Sequence, residues 1–205
     1  MGESVTPEAR LAAALSRDLE RSVRLAVSDE PLAMSRLSRG EAACLATMSE
    51  LRRPSWLRGR SALKRLLATL GSDEDTATIA FPHPRLSLTH SGGIAVAVST
   101  ECQGTGIDLE GRRRLRPDTA CFFLALAERE RSALAGADLL RLWTVKEAVF
   151  KADVENGGRG LSDYVLADLQ CAIGLARRRG GGRAFRYASL DWGRGVLTAA
   201  VRCES

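Results

Sequence analysis

The stretch LSLTHSGGIAVAVSTECQGTGIDLE, residues 86–110, contains three short apolar segments separated by two turns that are rich in glycine. Residues 86–88 and 94–98 flank the first turn, and residues 107–110 follow the second. Apolar runs bounded by glycine clusters are typical of strands joined by tight turns. We therefore predict a strand, a turn that holds residues 89–93, a second strand, and a third strand.

Helical patterns lie on both sides of this stretch. Apolar residues recur at helical spacing over residues 41–70, and again over residues 118–135 and 138–153. Two segments of alternating polarity near the end of the chain, residues 185–192 and 196–201, predict a closing hairpin. The helices and strands together predict an α+β protein built from two α+β halves.

The composition is that of a soluble globular protein, since 45% of the 205 residues are hydrophobic and 27% are charged. These values exclude a mainly disordered chain. The longest purely aliphatic stretch, residues 94–98, is far shorter than the roughly 18 apolar residues of a membrane helix. The N-terminus lacks the pattern of a secretory signal, so we expect a cytoplasmic protein without a membrane partner.

The positive charge comes almost entirely from arginine. Lys64, Lys146 and Lys151 are the three lysines among 30 basic residues, which leaves 27 arginines by subtraction and a formal net charge of +5. So large an arginine excess is typical of coding bias, and an anionic partner is compatible with the charge without being required by it. The rare lysines are therefore the more informative cations.

Two carboxylates lie on one face of the third predicted strand. Because strand side chains alternate, Asp108 and Glu110 project to one side while Ile107 and Leu109 point to the core. Neighbouring carboxylates repel each other unless water, a proton or a cation separates their charges, and Mg²⁺ is a common bridge. The pattern also fits a solvated edge strand of alternating polarity.

A second group of polar residues lies on the predicted helix over residues 138–153. Trp143, Glu147 and Lys151 recur every four residues and share one face of that helix. Glu147 and Lys151 could be an ordinary exposed pair worth about 0.3 to 0.5 kcal/mol. In an arginine-rich chain, however, the two lysines near Glu147 indicate a need for a compact, strongly hydrated charge.

Two further segments could bind anions. Residues 51–72 contain no acid and carry a run of bases: Arg52, Arg53, Arg58, Arg60, Lys64 and Arg65. This run fits either a phosphate site or a solvated basic helix. Thr89, His90 and Ser91 offer hydroxyls and an imidazole at the predicted turn, which fits an anion-binding nest or an ordinary surface turn.

These motifs occur in a fixed order within residues 35–165. They are Arg52 and Arg53 with Gly59-Arg60, then Ser87-Leu88-Thr89-His90-Ser91, Gly106-Ile107-Asp108-Leu109-Glu110, and Trp143-Thr144-Val145-Lys146-Glu147-Ala148-Val149-Phe150-Lys151. In this order they resemble the motifs of the surfactin-type (Sfp-type) 4′-phosphopantetheinyl transferases. The last two motifs are the specific ones, because a Gly-x-Asp-x-Glu strand is rarely followed by a Trp-x-x-Lys-Glu-x-x-x-Lys helix by chance.

The resemblance implies two similar α+β halves related by a pseudo-twofold axis, with coenzyme A and Mg²⁺ between them. Residues 1–103 would hold the nucleotide end of coenzyme A, and residues 104–205 would supply the Mg²⁺ site and the catalytic helix. The implied reaction moves the 4′-phosphopantetheine arm of coenzyme A to a serine of an acyl or peptidyl carrier protein and releases 3′,5′-ADP. A chain with its own cleft needs no partner subunit, so we expect a monomer.

The resemblance also implies a role for each motif. The metal ligands would be Asp108, Glu110 and Glu147. The contacts to coenzyme A would come from Arg52 or Arg53, Arg60, Thr89 and His90, and from Asp108, Glu147 and Lys151 beside the pyrophosphate. Asp108, Glu147 and Lys151 would be catalytic. We expect Glu147 where the helix meets the incoming serine, and therefore interpret it as the general base, directly or through a water.

The expected partner is an acidic apo carrier protein of fatty acid, polyketide or nonribosomal peptide biosynthesis. The run Arg112-Arg113-Arg114 with Arg116, together with Phe122 or Phe123, is predicted to dock it. One alternative is a Mg²⁺-dependent phosphohydrolase that uses water as the nucleophile. Another is a basic nucleic-acid-binding module, which would leave the carboxylates unused and has few stacking platforms at 5% aromatic content. We expect no nucleic acid partner.

Overall fold

The computed structural model describes residues 6–193 and 195–203, in which two antiparallel sheets are packed with helices. The predicted α+β class is confirmed. The ends of the two expected halves, residues 1–5 and 204–205, lie outside the described chain. None of the described helices is long and apolar enough to span a bilayer.

The first sheet and its helices come from the N-terminal part of the chain. In order, the elements are α1 (Pro7–Leu19), β1 (Val23–Ser28), α2 (Arg39–Ala46), α3 (Arg53–Thr69), β2 (Leu86–Ser91) and β3 (Ile94–Thr100). The strand order is β1-β3-β2, and α3 packs across all three strands. Its buried residues Ala62, Leu63, Leu66 and Leu67 have the spacing of one helix face, as the sequence predicts.

The second sheet follows in the chain. Its elements are β4 (Thr105–Gly111), α4 (Leu126–Ala135), α5 (Leu139–Ala152), β5 (Tyr164–Leu166), β6 (Ile173–Arg178), β7 (Ala184–Asp191) and β8 (Gly195–Arg202). The strand order is β4-β8-β7-β6-β5, and β7 and β8 form the closing hairpin that the sequence predicts. The helix α5 packs on β4, β8 and β7, much as α3 packs on the first sheet.

Two sequence-based boundaries are wrong. The predicted turn over residues 89–93 is shorter, because Gly92 and Gly93 both have positive φ (57° and 82°) and make a two-residue turn alone. Residues 89–91 therefore belong to β2. The helix predicted over residues 118–135 is also interrupted: a short 3₁₀ helix ends at Phe122, and α4 begins only at Leu126.

The two sheets meet where β2 lies beside β4. Three hydroxyls at alternate positions of β2 accept hydrogen bonds from three alternate backbone amides of β4. The pairs are Ser87 with Ile107 (3.1 Å), Thr89 with Leu109 (3.2 Å) and Ser91 with Gly111 (3.2 Å). We call these three hydroxyls the hydroxyl seam. Side chains thus join the two sheets where a continuous sheet would use backbone carbonyls.

Candidate active site

The strand β4 separates apolar from acidic side chains as its alternation predicts. Ile107 and Leu109 are buried in a core cluster that also holds residues of α1, β3 and β8. Asp108 and Glu110 lie on the other side, the side of α5, where their carboxylates contact residues of that helix. The strand therefore supplies one side of a polar site at the junction of the two sheets.

Gly106 allows α5 to lie very close to β4. A Cβ atom at this position would stand 1.8 Å from the carbonyl oxygen of Ala148 and 2.7 Å from the backbone nitrogen of Ala152. Both distances are far below van der Waals contact, so no other residue fits without moving the helix. The glycine of the Gly-x-Asp-x-Glu motif thus sets the distance between the two elements of the site.

The predicted polar face of α5 is directed at these carboxylates. Trp143 donates a hydrogen bond from Nε1 to Glu110 Oε1 at 3.1 Å. Two turns further along, Lys151 donates from Nζ to Asp108 Oδ1 at 2.7 Å and to the carbonyl of Ile107 at 3.2 Å. The helix therefore runs antiparallel to β4, with Glu147 between these two contacts.

Glu147 lies in an environment that disfavours its charge. Burial raises the pKa of its carboxyl, and the charges of Asp108 and Glu110 raise it further against the opposing effect of Lys151. Burial likewise raises the pKa of Glu110, although Arg113 stands 3.1 Å from its Oε2. The three carboxylates are thus close enough to interact, and among the described residues Glu147 alone of the three has no ion pair.

The two oxygens of Asp108 differ. Oδ1 accepts from Lys151 and, at 3.2 Å, from the hydroxyl of Thr89. Oδ2 is buried and has no hydrogen-bond partner among the described residues. A buried carboxylate oxygen without a partner is costly, and a bound cation is one of the few ways to satisfy it.

The carboxylates fit a hard divalent cation by their chemistry. Mg²⁺ takes oxygen ligands and is commonly held by one or two carboxylates plus phosphate oxygens. The orphaned Oδ2 of Asp108 and the desolvated carboxyl of Glu147 are suitable donors. As the side chains stand, no group of three or more His, Cys, Asp or Glu residues in the described chain is close enough to hold a metal ion. The cation that pairs with Asp108 is the ammonium of Lys151.

The predicted coenzyme A contacts of the N-terminal half lie apart from this group. Arg60 donates to the carbonyl of Thr76 at 2.6 Å and covers the ring of Trp56 at 4.9 Å, while its buried Nε has no partner among the described residues. Arg53 donates to a backbone carbonyl five residues earlier in the chain, and Arg52 is exposed at the start of α3. No hydrogen bond or ion pair of the described chain joins these arginines to the carboxylates.

The basic run of residues 51–72 does not form one positive face. Lys64 pairs with the buried Glu41 at 2.9 Å, and Arg65 pairs with Glu8 at 2.9 Å.

His90 is exposed on β2. Of the residues that the sequence singles out, the structure brings together Thr89, Asp108, Glu110, Arg113, Trp143, Glu147 and Lys151.

One important residue, Glu128, is not apparent from the sequence. Lys146 is completely buried, and its Nζ donates to Glu128 Oε2 at 2.6 Å and to the carbonyl of Tyr164. The other oxygen of Glu128 accepts from the backbone of Leu166 at 2.8 Å. The rarity of lysine singles out Lys146, but no local pattern identifies Glu128 as its partner. Lys146 is therefore part of a structural ion pair beside the site.

Part of the arginine run that is predicted to dock a carrier protein lines a surface cavity. Arg113 and Arg114 line a pocket of about 590 Å³, together with Arg129 of α4. Phe122 is 75% exposed beside this run. Phe123 is fully buried and packs edge-to-face on Trp143 with ring centroids 5.3 Å apart, so it is not available to a partner.

Comparison with known proteins found a similarity in the second half of the chain. Residues 104–197 match the model of the 4′-phosphopantetheinyl transferase superfamily. The matched segment contains β4, α5 and the acidic and basic groups that meet between them. A search of curated proteins found no match.

Proposed function

We propose that this protein transfers the 4′-phosphopantetheine arm of coenzyme A to a serine hydroxyl of an acyl or peptidyl carrier protein, in a Mg²⁺-dependent reaction that releases 3′,5′-ADP. The proposal rests on the contact between β4 and α5. Two carboxylates of the strand and one of the helix lie beside Lys151 within a segment that matches the superfamily.

We further propose the Sfp-type subgroup, in which one chain supplies both halves of the site. The support is that residues before Gly104 form their own sheet with a long helix across it. This sheet lies against β4 through the hydroxyl seam. A single chain therefore provides a surface on each side of β4, and we expect it to act as a monomer.

Asp108, Glu110 and Glu147 would hold the Mg²⁺ ion. When bound, the ion would neutralise charge on the pyrophosphate of coenzyme A and help to align it. Lys151 is close enough to Asp108 to act at the same place. Its ammonium would turn to the pyrophosphate and stabilise the charge that grows on the leaving phosphate.

Glu147 would be the general base. The support is its position on the face of α5 that is directed at β4, between the contacts that Trp143 and Lys151 make with the strand. Glu147 would take the proton of the serine hydroxyl, directly or through a water, as the oxygen attacks phosphorus. The proton thus passes to Glu147, and the bond to the 3′,5′-ADP oxygen breaks.

The remaining contacts are proposed from the resemblance of the N-terminal motifs. Arg52 or Arg53, Arg60 and His90 would bind the nucleotide end of coenzyme A, including its 3′-phosphate. The buried Nε of Arg60, which has no hydrogen-bond partner among the described residues, supports a role in binding an anion. The surface around Arg114 and Phe122 would dock the acidic carrier protein.

The test is to incubate the protein with coenzyme A, Mg²⁺ and a panel of apo carrier proteins, and to follow each carrier by intact mass. We expect one carrier to gain the mass of the phosphopantetheine arm, and the gain to vanish with EDTA. Release of phosphate or nucleotide without any modified carrier would instead support a phosphohydrolase. Salt-dependent binding of nucleic acid without transfer would support a nucleic-acid-binding module.

Variants of the site make this assay specific. Asp108→Asn and Glu147→Gln should each lower the rate of transfer by more than about 100-fold. Losing a residue that only orients a metal ligand costs about 100-fold at most. Lys151→Ala should slow the transfer step by a large factor as well. Circular dichroism should show folded protein in each case. Near-normal labelling by the Asp108 variant would defeat the metal assignment.

A further inference from the structure

We propose that Thr89 is a positioning residue: its hydroxyl fixes the orientation of the Asp108 carboxylate, so that Oδ2 stays available to a divalent cation. This inference rests on the proposed function. It replaces the direct contact with coenzyme A that the resemblance implies for Thr89. The reason lies in how the hydroxyl is used within the protein.

The only proton of the Thr89 hydroxyl is used within the protein. The hydroxyl donates this proton to Asp108 Oδ1 at 3.2 Å and accepts from the backbone nitrogen of Leu109 at 3.2 Å. Thr89 is only 5% exposed. Since a hydroxyl has a single proton to donate, a phosphate could bind it only if the bond to Asp108 were broken. The geometry therefore favours a role within the protein over a contact with the nucleotide.

The bond from Thr89 matters because a carboxylate can turn about its Cβ–Cγ bond, and a partial turn would move both oxygens out of the places they occupy. Thr89 and Lys151 both donate to Oδ1 of Asp108, which leaves Oδ2 as the buried oxygen without a described partner. If Lys151 turns to a pyrophosphate, Thr89 becomes the remaining donor that holds this orientation. The β-branched side chain of Thr89 also restricts its own rotation, so the donor is held in place.

The hydroxyl seam supplies matched controls. Ser87 and Ser91 accept from β4 amides in the same way as Thr89, at 3.1 and 3.2 Å. Neither serine has a hydrogen bond to a carboxylate in the described structure. Removing Ser87 or Ser91 should therefore cost the same kind of bond between the sheets as removing Thr89. Only the change at Thr89 should affect Asp108.

The experiment compares metal binding in Thr89→Val, Thr89→Ser, Ser87→Ala and Ser91→Ala, without a carrier protein so that no turnover occurs. The affinity for Mn²⁺ would be measured by electron paramagnetic resonance with saturating coenzyme A. The affinity for coenzyme A alone would be measured by calorimetry in EDTA. Thr89→Val has nearly the same shape as threonine but lacks the hydroxyl.

We expect Thr89→Val to raise the dissociation constant of Mn²⁺ by about tenfold or more, the usual cost of losing a group that orients a metal ligand. Thr89→Ser should restore it to within about threefold of the wild type, since the donor is kept. The two serine variants should bind Mn²⁺ normally. Affinity for coenzyme A in EDTA should be unchanged in all four.

The inference is overturned if Thr89→Val binds Mn²⁺ as the serine variants do, or if it loses affinity for coenzyme A in EDTA while keeping its metal affinity. Should Thr89→Val not fold, Thr89→Ala is measured in its place with the same expected result. Failure of the proposed function is a different outcome, because the wild-type protein would then bind no Mn²⁺ in the presence of coenzyme A.

Discussion

At the scale of single residues, the site is defined by carboxylates that are buried where their charge is disfavoured. Asp108 has one oxygen without a partner among the described residues, and burial raises the pKa values of Glu110 and Glu147. Such an arrangement destabilises a protein unless a ligand compensates it. Burial of this acidic group is therefore more consistent with a binding site than with a solvated edge strand.

The raised pKa of Glu147 predicts how stability depends on pH in the absence of metal. Because its pKa in the folded state exceeds the ordinary value of 4.5, the folded protein favours the protonated carboxyl. The contribution of Glu147 to stability is complete when the pH lies below 4.5, and it is lost as the pH rises through the pKa of the folded state. Glu147→Gln resembles the protonated form, so it should melt at a higher temperature than the wild type at pH 7 in EDTA.

The measurement is a series of melting curves in EDTA between pH 4 and 8. The gain from Glu147→Gln should shrink as the pH falls and vanish near pH 4. Glu101→Gln, at an exposed position, is the control and should change little at any pH. A Glu147 variant that is less stable than the wild type at pH 7 would contradict the electrostatic description.

At the scale of secondary-structure elements, the site depends on the close contact between β4 and α5. Gly106 permits this contact, because a methyl group there would overlap the carbonyl of Ala148. The buried pair of Lys146 and Glu128 holds a second side of α5 to the backbone of Tyr164 and Leu166. The helix is thus fixed on two sides, and Glu147 is directed to the carboxylates of β4.

Gly106→Ala should displace α5 from β4. We expect a loss of about 1–3 kcal/mol in the free energy of unfolding, as for other overpacked sites, and a large loss of transfer activity in the protein that still folds. Gly157→Ala is the control, because a Cβ there meets nothing within 4 Å. Denaturant unfolding and the carrier assay measure the two effects. Wild-type stability of the Gly106 variant would disprove the close approach.

The pair of Lys146 and Glu128 should behave as a buried ion pair. Glu128→Ala leaves the ammonium of Lys146 buried without its counter-charge, so it should cost about 3–5 kcal/mol of stability. The double variant Glu128→Gln/Lys146→Met removes both charges and should be more stable than Glu128→Ala. Urea denaturation tests this order. A loss below about 1 kcal/mol for Glu128→Ala would indicate that the pair contributes little.

Local features of the site can be predicted from the sequence, and distant partners cannot. Alternation along β4 and the four-residue spacing on α5 depend on neighbours in the chain, so both faces are predicted correctly. Glu128 resembles any acid of an exposed helix, and it meets Lys146 only after the chain has folded. The assignment of residues 89–91 to a turn is wrong because Gly92 and Gly93 suffice to make it.

At the scale of the whole molecule, two sheets share a core and meet through the hydroxyl seam. The arginine run after β4 lies at the surface, where Arg112 pairs with Asp191 and Arg116 pairs with Asp118. Arg114 and Phe122 are exposed beside the adjoining cavity. This face offers positive charge and an aromatic ring close to the proposed catalytic helix, which suits an acidic carrier protein.

Charge reversal on this face should affect the carrier and not the cofactor. Arg112→Glu/Arg114→Glu should raise the KM for the carrier by about tenfold or more and make this KM less dependent on salt, because the opposite charges that steer association are lost. The affinity for coenzyme A should be unchanged. Arg10→Glu, on α1 in the other half, is the control for net charge. Weaker binding of coenzyme A with a normal carrier KM would refute this docking surface.

The central claim is that the carboxylates of Asp108, Glu110 and Glu147 surround one divalent cation next to a pyrophosphate. Anomalous scattering from a crystal grown with Mn²⁺ and coenzyme A measures this directly. We predict a single strong peak within ligand distance of these carboxylates and of the pyrophosphate oxygens. A peak elsewhere, or coenzyme A bound away from α5 with Glu147 turned from the strand, would contradict it.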